Sequence, residues 1–130
     1  MTMRRAAVAT LLALASSAAA AGWGEVGGSD SYTVYADRDT LRVAGDTVKM
    51  WSLVDYKAHQ SMAGLPYLSM RWHVEYDCKA AQSRRLYLTA HSGKMAGGRI
   101  IHTEIDPGDW VPVAPGTIAD DLWQFACAKR

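Results

Sequence analysis

The stretch that decides the fold is LSMRWHVEYDC, residues 68–78, in which apolar and polar residues alternate. Its even positions are apolar and its odd positions are polar, which is the two-residue period of a β-strand. A strand of this kind turns one face to a core and the other to solvent, as in an antiparallel sheet covered on one side. The segment therefore predicts an antiparallel sheet with a covering layer on its even face.

Further runs on both sides of this segment predict the rest of the sheet. Residues 85–91 repeat the alternation, with Leu86, Leu88 and Ala90 on one face. Gly45 and Asp46 favour a tight turn between two strands. The other predicted strands are residues 22–28, 31–36, 41–43, 47–56 and 99–105, whereas residues 57–66 predict a surface loop and residues 93–98 a flexible connection.

The C-terminal end changes to a helical period. Thr117 and Asp120 resemble a capping box, and apolar residues then follow at helical spacing, namely Ile118, Leu122, Phe125 and Ala126. We expect one amphipathic helix over residues 117–127. The fold class predicted from the residues is α+β, a single domain with an antiparallel sheet and a C-terminal helix.

The N-terminus has the pattern of a secretory signal peptide. Arg4 and Arg5 form a positive region, residues 6–14 are apolar, and a run of alanines supplies a cleavage site near Ala21. A membrane anchor is the alternative, but the apolar stretch is shorter than the roughly 20 residues that span a bilayer. We expect residues 1–21 to be removed, which leaves a domain over residues 22–130 in the periplasm, in the medium or at the cell surface. No cysteine marks a lipid anchor at the cleavage point.

The charge of the mature domain argues against a polyanionic partner. Removal of Arg4 and Arg5 leaves 12 of the 14 basic residues against 13 acidic ones, a net charge of −1. A nearly neutral domain gains little from long-range attraction to a phosphate backbone. Nucleic acid is therefore a poor candidate partner, and no second apolar segment is long enough to span a membrane.

Cys78 and Cys127 are the two cysteines of the chain, and both follow the signal peptide. An even number of cysteines in an oxidising compartment favours a disulfide, which would fasten the end of the helix to the end of the alternating strand. Such a bridge requires the two α-carbons to come within about 7 Å. Two free thiols and a metal pair are the alternatives, and neither cysteine has a second ligand at zinc-site spacing.

The order of aromatic, cysteine and glycine residues resembles the surface-adhesin protein E family. The matching residues are Trp23, Tyr35, Ala36, Asp37, Thr40, Leu41, Val48, Trp51, Leu53, Asp55, Tyr56, Lys57, Tyr67, Ser69, Tyr76, Asp77, Cys78, Trp110, Pro115, Gly116 and Cys127. The resemblance covers the mature chain and implies an antiparallel sheet of about six strands with a disulfide-tethered helix on its concave face. It also implies attachment to host matrix or serum proteins.

Arg71, His73 and Glu75 are the candidate contact residues. They alternate along the polar side of one strand and therefore lie on one surface. Two interpretations stay open: a protein-contact face, or an ordinary solvated strand face. Among the tryptophans, we expect Trp51, Trp72 and Trp123 in the core and Trp23 and Trp110 partly exposed.

No pattern in the sequence predicts catalysis, a metal or a cofactor. His59, His91 and His102 share no ligand spacing. No serine lies in a nucleophile elbow, and the N-terminal glycines do not form a phosphate cradle before a helix. The carboxylate pairs, Glu104 with Asp106 and Asp120 with Asp121, lie at a strand end and at a helix start.

The sequence thus favours an exported, non-enzymatic binding protein with a protein partner. The alternative is a soluble periplasmic accessory or structural protein of the envelope, and a more distant one is a small hydrolase or inhibitor. An exposed edge strand would also permit a homodimer.

Overall fold

A computed structural model describes residues 22–105 and 107–128. The signal peptide predicted over residues 1–21 lies outside the described residues. The elements follow the chain as β1 (Trp23–Gly28), β2 (Tyr32–Asp37), β3 (Arg42–Ala44), β4 (Thr47–Met62), β5 (Leu65–Asp77), β6 (Gln82–His91), β7 (Ile100–Glu104), β8 (Val111–Pro112) and α1 (Ile118–Ala128). No helix in this part of the chain is long and apolar enough to cross a membrane.

One antiparallel sheet contains all of these strands. Its main order is β1-β2-β4-β5-β6-β7, while β3 pairs with β4 and β8 pairs with β6. The α+β class is confirmed, but the sheet has eight strands rather than about six. The two additional strands, β3 and β8, have three and two residues. A strand this short is held by pairing with its neighbour and carries no period of its own.

The prediction of a surface loop over residues 57–66 is wrong. β4 and β5 continue as paired strands through Gln60 and Tyr67 to a tight hairpin at Ala63 and Gly64. The register between them shifts after Asp55, and most side chains beyond that point are exposed on both faces. An irregular, solvated hairpin arm shows no apolar alternation, although its backbone pairing persists.

The even face of β5 forms the core, as predicted. α1 lies across this face and buries Leu122 and Ala126 against the sheet, where Val74 and Tyr76 of β5 are themselves almost fully buried. The matching residues of β4, Val48 and Met50, are 0% exposed. A second buried cluster continues along the same face beyond the helix and contains Tyr67, Met70, Leu88 and Ala90.

One disulfide and one hydrogen bond tie α1 to the end of β5. Cys78 and Cys127 form a disulfide with a Cα–Cα distance of 5.5 Å, which confirms the predicted bridge. The indole Nε1 of Trp123 donates to the Asp77 carbonyl at 3.0 Å. At the other end of the helix, the Thr117 hydroxyl accepts from the Asp120 amide at 3.2 Å and caps the first turn. The C-terminal half of α1 is therefore anchored to the end of β5.

Replacing Cys78 and Cys127 together with alanine should lower the free energy of unfolding by about 4 kcal/mol, the entropy expected for a closed loop of roughly 50 residues. Urea denaturation of the oxidised protein and the double variant measures the difference. Reduction of the unsubstituted protein should reproduce the loss, and the same reductant should leave the variant unchanged. Equal stability of the oxidised and reduced protein would contradict the tethering role.

Candidate protein-contact face

The structure places Arg71, His73 and Glu75 together on the side of the sheet opposite α1. These odd positions of β5 alternate with the even positions that contact the helix. Trp51 of β4 and Tyr87 of β6 are the register partners of His73 on the two neighbouring strands. We call the surface formed by Trp51, Arg71, His73, Glu75 and Tyr87 the helix-free face.

The indole of Trp51 organises this face. Its ring stacks on His73 with a centroid distance of 4.6 Å and an interplanar angle of 12°. The guanidinium carbon of Arg71 lies 4.2 Å from the centroid of the indole ring, a cation–π distance. Tyr87 meets the same indole edge to face at 5.5 Å. Each of these four side chains is only partly exposed. Because Trp51 contacts the other three, the four side chains hold one another in place across β5.

Glu75 is engaged within the protein. The residue is 8% exposed. Its Oε1 accepts a hydrogen bond from Nε of Arg84 at 2.8 Å and forms an ion pair with Nη2 of the same guanidinium at 2.7 Å. The Arg84 guanidinium in turn lies 4.9 Å from the centroid of the Trp110 ring. Glu75 therefore stabilises one end of the helix-free face and offers little surface to a partner.

The odd side of β5 is not uniformly solvated, which corrects the predicted wet face. Ser69 is 0% exposed because the segment between β6 and β7 folds over it. Its hydroxyl donates to the Gly93 carbonyl at 2.6 Å and accepts from the Ala96 amide at 2.9 Å. The Met95 amide donates to Asp55 at 2.8 Å. Residues 93–98, predicted as a flexible connection, thus cover one end of the helix-free face.

Burial and positive neighbours determine the protonation of the histidines on this side. Burial is the main cause that lowers the pKa of His73, and Lys49 and Arg71 lower it further, while Glu75 acts in the opposite direction. Burial and Arg71 likewise lower the pKa of His91, whose ring lies 2.8 Å from the Thr89 hydroxyl. Both imidazoles are therefore neutral at pH 7.

The remaining histidines and carboxylates do not converge. His59 lies on the exposed arm of β4, and His102 contacts Glu104 at 3.1 Å on β7. Within residues 22–105 and 107–128, no group of three histidine, cysteine or acidic side chains could hold a metal ion. Asp120 caps the helix region through the Gly116 amide at 3.0 Å, which agrees with a structural role. Asp106 lies outside the described residues.

Sequence reasoning missed two members of the helix-free face. Trp51 was predicted in the core, yet it lies opposite the helix, because Met50, the residue before it on β4, packs in the cluster that contains Leu122. Tyr87 received no role. Both could have been found once the strand register is known. Trp51 and Tyr87 are then the partners of His73 on the neighbouring strands, and paired residues of adjacent strands lie on the same face of the sheet.

Comparison with protein-family sequence models identifies the family of this chain. The sequence model of surface-adhesin protein E matches residues 23–128, nearly all of the described chain. The chain belongs to the surface-adhesin protein E family. No curated protein sequence matches it at a significant level.

Solved structures of Haemophilus influenzae protein E share the fold of this family member. Crystal form II aligns with a TM-score of 0.62 at 14% identity and covers 82% of this chain and 87% of that one. The selenomethionine form gives a TM-score of 0.61 at 14% identity, with 82% and 86% covered. Protein E from a non-typeable strain gives 0.54 at 14% identity, with 82% and 76% covered. Identity at this level shows a common fold.

Acidification should destabilise the protein as His73 and His91 become charged. Because the folded pKa of each is below its ordinary value of 6.5, the unfolded state binds more protons as the pH falls below about 6.5. The stabilising contribution is complete above that pH and is lost as the pH falls through the folded pKa. His73→Phe, which keeps an aromatic ring on Trp51, should make the decline in unfolding free energy between about pH 7 and pH 5 shallower.

His59→Phe is the matched control, since His59 is exposed and should leave the slope unchanged. Urea denaturation at several pH values measures both variants. A His73→Phe slope equal to that of the unsubstituted protein would contradict this account.

Proposed function

We propose that this member of the surface-adhesin protein E family is an exported, non-enzymatic adhesin that binds host matrix or serum proteins through its helix-free face. The observation that carries the proposal is the Trp51 cluster, in which an indole, a guanidinium, an imidazole and a phenol form one partly exposed surface. Trp, Tyr and Arg are the residue types that contribute most binding energy at protein interfaces.

The cluster combines rigidity with unused hydrogen-bond donors. Stacking fixes the rings of Trp51 and His73 before any partner arrives, so little side-chain freedom remains to be lost on binding. The guanidinium of Arg71 makes no hydrogen bond to any other described side chain or backbone group. Glu75 and Asp55 are paired with Arg84 and Lys94, which leaves the charge of Arg71 available to an acceptor on a partner.

The packing of α1 on the even face of the sheet also supports the helix-free face as the binding surface. α1 and the disulfide occupy the apolar even face, so the sheet does not need a partner there. The helix-free face is different, because its aromatic side chains are held in place without being fully covered. An interface at this position would bury rings that already have a fixed geometry.

A homodimer is a further part of the proposal. β7 ends the main strand order, and Ile100 at its start is 59% exposed. A free strand edge with an exposed apolar residue suits pairing with a second copy. Such a dimer would extend the sheet and bring two helix-free faces into one assembly.

Trp51→Ala should weaken binding to immobilised matrix or serum proteins at least about 30-fold, as expected when a central interface tryptophan worth about 2 kcal/mol or more is truncated. Trp23→Ala is the matched control, because Trp23 is also partly exposed but lies on the edge strand β1. Saturable binding is measured by surface plasmon resonance with variants that retain the disulfide and the sheet.

Two results would overturn this proposal. One is the absence of saturable binding by the mature protein to any matrix or serum protein tested. The other is equal loss of binding by both variants, which would place the contact elsewhere or indicate general damage to the fold.

Export should remove residues 1–21, so mass spectrometry of the protein isolated from its native cells should find a mature N-terminus near Ala21 or Gly22. Labelling of intact cells with a membrane-impermeant reagent then distinguishes the compartments. An adhesin should be labelled at the surface or found in the medium. Release by osmotic shock alone would favour the periplasmic accessory protein instead, and a retained leader would contradict export with cleavage.

A further inference from the structure

Positively charged side chains lie on both sides of Trp51 along its strand. Lys49 lies two residues before Trp51 on β4, so both side chains project from the same side of the sheet. Arg42 of β3 is the register partner of Lys49, and both residues are exposed. In the other direction along β4, Arg71 is the register partner of Leu53. Three cations therefore border or belong to the helix-free face.

The protein does not neutralise these three charges. No carboxylate of the described residues forms an ion pair with Arg42, Lys49 or Arg71. Arg42 donates to two backbone carbonyls, which are neutral. Glu75 is the register partner of Lys49, but its carboxylate is bonded to Arg84. The central part of this surface therefore has an excess of positive charge.

The Arg71 guanidinium is suited to a carboxylate. It makes no hydrogen bond within the described part of the chain, and only its Nε is buried without a partner, so its two terminal nitrogens reach solvent. Contact with the Trp51 indole at 4.2 Å holds the planar group in place. A fixed guanidinium can donate two parallel N–H bonds to one carboxylate, which is a strong and directional contact.

The charges of Lys49 and Arg71 act on the same central ring. Burial is the largest cause that lowers the pKa of His73, and Lys49 and Arg71 each lower it further. Both cations are therefore close enough to His73 for their fields to overlap at this position. A negatively charged group placed over the stacked rings of His73 and Trp51 would be attracted by both.

We propose that the helix-free face binds a short acidic segment of its protein partner. This inference rests on the proposed function and names the chemistry that this face recognises. Carboxylates of the segment pair with Lys49 and Arg71, and an apolar side chain between them packs on the Trp51 indole. The partner thus supplies the negative charge that this side of the sheet lacks at its centre.

Acidic groups towards the edges of the same side favour a short segment over a long polyanion. Glu25 of β1 is the register partner of Tyr35, which in turn pairs with Leu53, and Asp77 ends β5 at an odd position. The net charge of the domain over residues 22–130 is −1. A long sulfated chain that extended beyond the Trp51 cluster would meet these carboxylates, whereas a segment of a few residues fits between them.

The test uses the peptide acetyl-Gly-Glu-Ser-Leu-Ser-Glu-Gly-amide and a counterpart in which both glutamates are glutamines. Nitrogen-edited NMR of the full mature protein follows the Trp51 indole N–H during each titration. The acidic peptide should give a saturable shift, with a dissociation constant at least about fivefold below that of the neutral peptide at low salt. The expected ratio is modest because exposed ion pairs are weak, and added salt should reduce it.

Lys49→Gln should reduce the preference for the acidic peptide, since it shortens the side chain little and removes one charge. Lys57→Gln is the matched control, because Lys57 is also an exposed lysine of β4 but lies roughly 20 Å along the strand from Trp51. It should leave both dissociation constants unchanged. Both substitutions are at exposed positions, and the NMR spectra show directly that each variant is folded.

Three outcomes of these titrations would overturn the proposal: no saturable shift at Trp51 with the acidic peptide, equal affinity for the two peptides at low salt, or an unchanged preference in Lys49→Gln. A heparin oligosaccharide that shifts Trp51 where the acidic peptide does not would also overturn it and would indicate a polyanionic ligand.

The peptide titrations contain no matrix or serum protein, so their failure is distinct from failure of the proposed function. If the acidic peptide fails while Trp51→Ala still weakens binding of a matrix or serum protein, the acidic segment is wrong and the contact face stands. If the acidic peptide binds and no matrix or serum protein does, the recognition chemistry stands and the host partner is wrong.

Discussion

The packing of α1 on the even face of the sheet is the interaction on which the rest of this structure depends. A domain of this size buries a limited core, and each fully buried Leu, Val or Met contributes about 1.5–3 kcal/mol. Leu122 on the helix meets Val48, Met50 and Val74 in one cluster, and the Cys78–Cys127 disulfide holds the helix in position. Without this cover, the apolar residues of this cluster would be exposed to water.

Because the helix completes the core on one side, the other side can carry different chemistry. The Trp51 cluster is held by stacking and cation–π contacts across neighbouring strands. The same sheet thus separates two surfaces. One contains the disulfide-tethered helix, and the other presents rigid aromatic rings with the charge of Arg71. The shared fold with Haemophilus influenzae protein E at 14% identity shows that the architecture persists at low sequence identity.

The parts of the structure that were predictable from the sequence carry a strong local period. Alternation in β5 and helical spacing around Leu122 are direct consequences of burying one face of each element. The hairpin near Gly64 was missed because both of its faces are solvated, and β8 because two residues show no period. The stacking of Trp51 on His73 depends on strand register, which is set by long-range pairing and is invisible in either strand alone.

The most direct test of this account is the set of nuclear Overhauser effects between side chains of α1 and the even face of the sheet. The mature, oxidised protein should show strong cross-peaks from the Leu122 methyl groups and the Ala126 methyl group to Val48, Val74 and the Tyr76 ring. Absence of these cross-peaks, together with exposure of the same apolar side chains to solvent, would contradict the central role of the tethered helix.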